Sequence, residues 1–378
     1  MLTRTLTALG LAAALAAPFS ASGKTVIDSE RASFAVETIA EGLKNPWGLA
    51  FLPDGTMLVS ERAGHLRLVS ADGQVWPALK GLPEIVANGQ GGLLDVAIDP
   101  DYATNGRIYF SYSEPSEDGD SNSTAVASAR IDDDQLVDVT RIFSQQPKVK
   151  STSHFGSRLV FGNDGTLFVT LGERYSRKED AQTLDNHHGK VVRINTDGSV
   201  PSDNPFVDTE GALPEIWSYG HRNMQGAAIH PQTGALWSGE HGAQGGDEIN
   251  IDRAGLNYGW PVITYGEDYG GGEIGEGFKK DGMETPVYYW LPSLATAGLT
   301  FYTGDKFPDW QGDMFVASLK GQTLSRLDIE GERVLHEERL LKDEVGKRLR
   351  HVVQGPEGYL YLLTDDSNGA ILRLSPEE

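Results

Sequence analysis

The sequence predicts an all-β protein, built as a six-bladed β-propeller with four-stranded antiparallel blades. Its 378 residues include 45 glycines. Short stretches of alternating apolar and polar residues are separated by tight-turn residues, and sustained helical periodicity is almost absent. One pattern of turn and strand also recurs six times along the chain. Such internal recurrence is typical of repeat architectures, of which the propeller is the all-β example.

Each repeat contains an apolar residue, a turn rich in Pro, Asp, Asn or Gly, and an alternating strand. Because Asp-Gly and related pairs supply the positive φ angles of tight turns, each copy predicts one hairpin. The spacing of roughly 60 residues exceeds the roughly 40–50 of a minimal blade, which predicts long insertions. A β-sandwich or barrel with ordinary hairpins is the alternative. The six copies are residues 51–59 (FLPDGTMLV), 98–110 (IDPDYATNGRIYF), 161–169 (FGNDGTLFV), 229–237 (IHPQTGALW), 307–316 (FPDWQGDMFV) and 354–361 (QGPEGYLY).

The N-terminal residues predict export. A charged start is followed by an apolar stretch from Leu6 to Ala17 and then by small residues, the pattern of a secretory signal peptide over residues 1–22. The apolar stretch is shorter than the roughly 20 residues of a membrane-spanning helix, so we expect no membrane anchor. We expect an exported, periplasmic protein in which residues 30–376 form a single propeller domain.

Charge and cysteine content exclude several classes of function. The chain has 32 Lys and Arg residues against 54 Asp and Glu residues, a formal net charge of −22. Such a chain repels a phosphate backbone, so nucleic acid is not an expected partner. Cysteine is absent, which excludes disulfides, zinc–thiolate sites and a cysteine nucleophile.

One histidine and several cations are candidates for chemistry. His154 precedes the predicted strand of the third repeat, and a histidine titrating near neutrality can act as a general base. A histidine hydrogen-bonded to the backbone is the alternative. Arg222, Lys320, Arg348 and Arg350 lie near predicted strand ends of an acidic chain. Arginine binds carboxylates in a two-pronged way, so these cations suit a polyanionic ligand, with surface salt bridges as the alternative.

Residues 239–248 (GEHGAQGGDE) combine glycine-flanked carbonyls with carboxylates. These are hard oxygen ligands of the kind that calcium prefers. An acidic turn without a metal is the alternative on spacing alone.

Several short segments together resemble the soluble glucose and aldose sugar dehydrogenases that depend on pyrroloquinoline quinone (PQQ). The resemblance runs from about Asn45 to Leu374, and no single segment would suffice. The segments are residues 45–51 (NPWGLAF), 89–94 (GQGGLL), 153–158 (SHFGSR), 219–223 (YGHRN), 246–250 (GDEIN), 257–261 (NYGWP) and 348–350 (RLR).

The resemblance implies a propeller with PQQ across one mouth of the central channel. His154 would accept a proton, and Glu173 occupies the place of a second acidic residue that orients it. Ser153 stands where the family's glucose enzyme has an acidic residue, so we expect broad use of aldoses. Further implied cofactor contacts are Gln90 beside cofactor and substrate, Arg222 and Asn223 at the quinone carbonyls, Lys320, Arg348 and Arg350 at the polar rim, and Tyr269 flanking the cofactor.

The same resemblance implies calcium at the mouth. The backbone carbonyls of Gly242 and Ala243 would hold the catalytic ion, and Glu248 with Tyr258 would hold a further one. The implied reaction is the oxidation of an aldose at C1 to the lactone, with hydride transfer to PQQ and an external electron acceptor. Two alternatives stay open: a calcium-dependent propeller hydrolase of the lactonase type, and a non-enzymatic propeller that binds other molecules.

Overall fold

The structure of the protein, a computed structural model, describes residues 25–377. The predicted signal peptide lies outside these residues. Between residues 25 and 377, twenty-four strands form six antiparallel sheets, which confirms the predicted all-β fold. We number the sheets as blades in chain order. Two strands precede blade 1 in the chain, β1 (Thr25–Asp28) and β2 (Ser33–Leu43). Blade 1 contains β3 (Pro46–Phe51), β4 (Met57–Glu61) and β5 (His65–Val69); blade 2 contains β6 (Leu93–Ile98), β7 (Arg107–Pro115), β8 (Asn122–Asp132) and β9 (Gln135–Ser144); and blade 3 contains β10 (Gly156–Phe161), β11 (Leu167–Leu171), β12 (Lys190–Ile194) and β13 (Ile216–Tyr219).

The other three blades complete the part of the molecule that the structure describes, in which helix is confined to short segments. The helical segments are α1 (Tyr102–Asn105) and two 3₁₀ turns (Lys178–Gln182 and Pro308–Trp310). The remaining strands are β14 (Met224–Ile229), β15 (Leu236–Glu240), β16 (Asp247–Asp252) and β17 (Tyr288–Trp290) of blade 4, β18 (Thr296–Phe301), β19 (Met314–Ser318), β20 (Leu324–Glu330) and β21 (Arg333–Leu340) of blade 5, and β22 (Leu349–Gln354), β23 (Leu360–Thr364) and β24 (Gly369–Pro376) of blade 6.

The sheets close into a ring. The first strand of each blade contacts the first strand of the next blade, and β22 contacts β3. Blade 6 is completed by the N-terminal β2, which pairs with β24, and β1 adds a fifth strand. Blade 1 has three strands, whereas blades 2 to 5 have four. Joining both chain ends in one sheet closes the propeller and removes the exposed edges that an open ring would have.

All six repeated turns join the first and second strands of a blade. Two of these turns contain a glycine with a positive φ angle: Gly55 of blade 1 has φ 85° and Gly165 of blade 3 has φ 80°. A residue with a side chain is strained in this left-handed region. The one-hairpin-per-repeat prediction is therefore confirmed.

The core consists of apolar clusters between neighbouring blades. One cluster joins Phe315 and Leu324 of blade 5 to Leu349 and Leu362 of blade 6. Equivalent clusters lie at the other five junctions. Burial of these apolar surfaces is the main stabilising contribution in a chain without disulfides. Among residues 25–377, no helix is long and apolar enough to span a membrane.

The strand order brings loops from all six blades to one mouth of the channel. In every blade the pairing of the first two strands has a register shift at the start of the first strand. Because these strands are antiparallel, the start of the first meets the end of the second. Residues just before the first strands and just after the second strands therefore surround the same opening.

Candidate active site

A buried histidine–carboxylate pair lies at this mouth. His154 lies two residues before β10, and Glu173 lies two residues after β11. The His154 Nδ1 atom is 3.0 Å from the Glu173 Oε2 atom, and both side chains are buried. The His154 backbone N–H donates to the Gln90 Oε1 atom at 2.8 Å. With Nδ1 donating to Glu173, the His154 Nε2 atom keeps its lone pair.

Burial lowers the pKa of His154, and the hydrogen bond that His154 donates to Glu173 opposes this effect only partly. The imidazole is therefore neutral near pH 7 and can accept a proton. The backbone of His154 lies in the left-handed region, with φ 53°. A Cβ atom on Gly172 would lie 2.1 Å from the His154 carbonyl oxygen, so only glycine permits this close approach.

Arg222 lies beside this pair, in a cavity of about 190 Å³ that Glu173 and Tyr269 also line. Its guanidinium donates to the His241 carbonyl at 3.0 Å and to the Tyr269 hydroxyl at 3.4 Å. Asn223 is buried, and its Oδ1 atom accepts from the Gly156 backbone N–H at 3.0 Å. The structure thus brings the predicted residues Arg222, Tyr269 and Glu173 around one cavity.

A second cavity, of about 260 Å³, is rich in cations. Arg350 is buried and donates to Asp365 at 2.7 Å and to the Gln225 Oε1 atom at 2.5 Å. Arg348 is half exposed and lies 3.3 Å from Asp365. Burial alone would raise the pKa of Asp365, but Arg350, helped by Asn45 and Arg348, outweighs burial and lowers the pKa to about 2. The cavity is lined by Trp47, Arg62, Gln90, Gln225, His241, Ala295, Leu319, Arg348, Arg350 and Asp365.

Five buried nitrogen atoms around the two cavities have no hydrogen-bond partner within the described residues. They are the Nε atoms of Arg62, Arg222 and Arg350, the Nε2 atom of His241 and the Nε1 atom of Trp260. A buried polar atom without a partner costs about 1–3 kcal/mol. Several such nitrogens in one region fit a ligand with many acceptor oxygens. A polycarboxylate quinone such as PQQ is a ligand of this kind.

A group of oxygen atoms lies next to Arg222. Gly242, Glu248, Tyr258 and Glu240 line one small cavity. Burial raises the pKa of Glu248 well above its usual range, and the charges of Glu240 and Asp247 raise it further. A bound metal ion would supply positive charge here and would stabilise the ionised form of this carboxyl.

Backbone carbonyls provide the other oxygens. Among residues 25–377, no hydrogen bond reaches the carbonyls of Gly242, Ala243 or Tyr258. The Tyr258 hydroxyl donates to the Ile251 carbonyl and accepts from the Arg253 backbone N–H at 2.8 Å, so only its carbonyl is available. Carbonyl and carboxylate oxygens are the ligands of calcium, and the residues fit this ion.

Lys320 differs from the other predicted cations. It follows β19 at the same mouth, but its side chain is exposed. Its ammonium forms no hydrogen bond or ion pair with the part of the chain that the structure describes. The neighbouring Leu319, rather than Lys320, lines the cation-rich cavity.

Sequence reasoning missed several residues that line the cavities. Trp260 lies 5.2 Å below the Arg222 guanidinium, and Trp47 lies 5.8 Å from that of Arg350. His241 and Asp365 immediately follow the second strands of blades 4 and 6. Glu173 also follows a second strand, so the position after this strand is a signal that the repeat itself could have supplied.

Comparison with known proteins identifies the family. The model of the glucose/sorbosone dehydrogenase family matches residues 43–373. The chain belongs to this family. An aldose sugar dehydrogenase of Escherichia coli, YliI, is 47% identical over 350 residues, which are 91% of this chain and 94% of the relative. The resemblance inferred from the sequence motifs is therefore confirmed.

Solved structures of the family superpose on the whole propeller. The apo form of the soluble aldose sugar dehydrogenase of E. coli has a TM-score of 0.88 at 45% identity and covers 91% of this chain and 100% of its own. The PQQ-bound aldose sugar dehydrogenase of Streptomyces coelicolor has a TM-score of 0.75 at 30% identity and covers 92% and 99%.

The lactonase alternative places a specific demand on the side chains of this mouth. It requires carboxylates that converge on a channel metal. Within residues 25–377, no group of three or more His, Cys, Asp or Glu side chains has an arrangement that could hold a metal ion. A calcium site at this mouth would depend on backbone carbonyls instead.

Proposed function

We propose that the protein is an exported quinoprotein that oxidises aldose sugars at C1 to lactones, using PQQ and calcium. One observation carries this proposal. In a chain of net charge −22, three arginines and a histidine line one cavity beside the buried His154–Glu173 pair. Family membership and the PQQ-bound neighbour support the same activity. An external acceptor would then remove the electrons.

The chain offers one set of residues for the cofactor and another for the metal. Gln90, Asn223, Arg348 and Arg350 would hold PQQ, with Lys320 at the rim. The carbonyls of Gly242 and Ala243 would bind the catalytic calcium, and Glu248 with the Tyr258 carbonyl a further ion. When bound, PQQ supplies the hydride acceptor, and calcium polarises its quinone carbonyl.

The protein's own residues handle the proton and orient the sugar. The His154 Nε2 atom accepts the proton of the C1 hydroxyl, so the C1–O bond can become a carbonyl as the hydride leaves. Glu173 holds the imidazole in the required tautomer and stabilises the positive charge that forms on it. The Arg222 guanidinium places a fixed positive charge where negative charge develops during the reaction.

Reconstitution tests the proposal. We expect the apoprotein to reduce a dye in the presence of an aldose only when PQQ and calcium are both added, with a lactone as product. Magnesium in place of calcium is the matched control, because it demands a stricter octahedral oxygen geometry. Equal activity in excess chelator, after verified removal of metal, would contradict the role of calcium. Lactone hydrolysis without PQQ would instead support the hydrolase alternative.

We expect broad use of aldoses, since Ser153 places no carboxylate beside His154 to select one sugar. A panel of mono- and disaccharides, compared by kcat/KM, measures this. A preference for glucose over all others by more than roughly 100-fold, about 3 kcal/mol in transition-state binding, would contradict it.

A further inference from the structure

Exposed apolar side chains concentrate at the mouth that contains the site. In residues 25–377, eight large hydrophobic side chains are exposed, and five of them come from loops and strand ends of blades 3 and 4 at this mouth. Tyr175 and Tyr269 line the Arg222 cavity. The other three are Phe278, Tyr289 and Leu291. Clustering of this kind indicates a binding surface rather than scattered apolar residues.

Two of these exposed rings, those of Phe278 and Tyr289, form an ordered stack with the partly buried ring of Tyr265. The Tyr265 ring is nearly parallel to that of Tyr289, with centroids 3.8 Å apart and an interplanar angle of 11°. Phe278 covers its other face at 5.4 Å and 25°. Phe278 is 59% exposed and Tyr289 is 42% exposed. The stack therefore presents aromatic surface to solvent on a preformed support.

The stack is continuous with the candidate active site. Tyr289 is paired with Glu248 across β16 and β17, so the two side chains lie on the same face of blade 4. Tyr265 follows Thr264, which lines the Glu248 cavity together with Arg222. Leu291 packs against Gly245, within the loop that carries the carbonyls of Gly242 and Ala243. A ligand that fills the cavity and extends outward would reach the rings.

The size and chemistry of the surface favour a carbohydrate. A three-ring stack has the dimensions of one or two sugar rings, whereas a stable protein interface buries about 800 Å² on each partner. Aromatic faces pack against the C–H faces of sugars. The exposed carboxylates of Glu267 and Asp268, on the same loop, accept hydrogen bonds from hydroxyl groups.

We propose that Tyr265, Phe278 and Tyr289 form a subsite for the sugar units of an oligosaccharide that extend beyond the unit being oxidised. The inference rests on the proposed function, since the reducing end of the oligosaccharide would lie at His154, the proposed general base. It assigns as preferred substrates glucose oligomers of three or four units rather than the free monosaccharide.

The test compares chain lengths in the full-length protein loaded with PQQ and calcium. Rates are measured with glucose and with its α-1,4- and β-1,4-linked oligomers of two to four units. We expect Phe278→Ala and Tyr289→Ala each to lower kcat/KM for the three- and four-unit substrates about five- to tenfold. For glucose, kcat/KM should stay within about twofold of wild type. Phe278→Tyr, which keeps a ring, and Leu335→Ala, an exposed residue of β21, are the matched controls.

A binding measurement separates this inference from the proposed function. Four-unit oligomers reduced to the alditol cannot be oxidised at C1, and their binding is measured by calorimetry without turnover. Weaker binding in Phe278→Ala than in Leu335→Ala supports the subsite even if PQQ activity fails. Equal losses for glucose and oligomers, or no loss for either, would overturn it. The inference would also be overturned if the variants slowed only electron transfer to a basic protein acceptor, because the surface would then be a binding site for a protein.

Discussion

Two buried carboxylates on different sides of the mouth have pKa values that are shifted in opposite directions. On the blade 6 side, Asp365 lies between Arg350 and Arg348, and its pKa is about 2. On the blade 4 side, Glu248 has carboxylates as charged neighbours, and burial with their charge raises its pKa well above the usual range. The first side is balanced by charges of the chain itself. On the second side, a bound cation would stabilise the ionised carboxylate.

This difference suggests that the two sides of the mouth have different functions. The arginine side (Arg348, Arg350 and Asp365) is preformed for an anionic ligand, since Asp365 fixes the guanidinium groups while the buried Arg350 Nε atom has no partner within the described residues. The carboxylate side (His154, Glu173 and Glu248) contains the groups that exchange a proton or bind a metal. We expect mutations on the arginine side to change cofactor affinity, and mutations on the carboxylate side to change turnover or metal binding.

The largest effect should come from His154→Ala. We expect kcat to fall about 10²- to 10⁴-fold, because a general base is removed, while PQQ stays bound. Absorbance titration of PQQ beside rates at saturating cofactor measures both. His230→Ala is the matched control, since His230 lies at the end of β14 farthest from this mouth. Near wild-type turnover in His154→Ala would contradict the role of general base.

Arg350→Ala should show the converse phenotype. Loss of one charge-assisted hydrogen bond of about 1.5–3 kcal/mol weakens PQQ binding by roughly 10- to 100-fold, with little change in kcat at saturation. Arg348→Ala should have a smaller effect because its side chain is half exposed. The double variant Arg350→Ala/Asp365→Asn controls for the carboxylate that the single variant leaves unpaired. Normal PQQ binding by an inactive Arg350→Ala protein would break the comparison.

Glu248→Gln tests the metal side alone. The amide keeps the shape of the side chain but removes its charge, so we expect calcium to bind about tenfold more weakly, with PQQ affinity measured at saturating calcium unchanged. Calcium titration by calorimetry gives the affinity. Glu267→Gln, an exposed position on the following loop, is the matched control. If both variants bind calcium equally well, Glu248 is not a ligand.

The smallest effect concerns pH. Burial lowers the pKa of His154 below its ordinary 6.5. Activity needs the neutral base, so kcat/KM should stay constant as pH falls to 6.5 and decline only below it. The hydrogen bond that Glu173 accepts from His154 raises this pKa, so Glu173→Gln should move the acid limb to still lower pH. A profile of kcat/KM against pH measures the shift. An acid limb above pH 6.5 would argue against His154 as the base.

The sequence by itself determined the fold class and the family. Turn residues such as those around Gly55 and Gly165 act locally, since the positive φ angles depend only on the turn, and six copies implied six blades. The short motifs around His154, Arg222 and Arg350 likewise identified the segments that contain the site residues. Local chemistry of this kind is readable without coordinates because it does not depend on which distant residues meet.

Only the tertiary structure decided how these segments combine. Closure of the ring placed Glu173 against His154 and Asp365 against Arg350, because loops far apart in the chain surround one opening. The tertiary structure also showed that Lys320 is exposed, whereas His241 and Trp47 line the cation-rich cavity. The stack of Tyr265, Phe278 and Tyr289 depends on pairing between β16 and β17 and on one long loop. Contacts of this kind arise from packing in three dimensions, which no local pattern records.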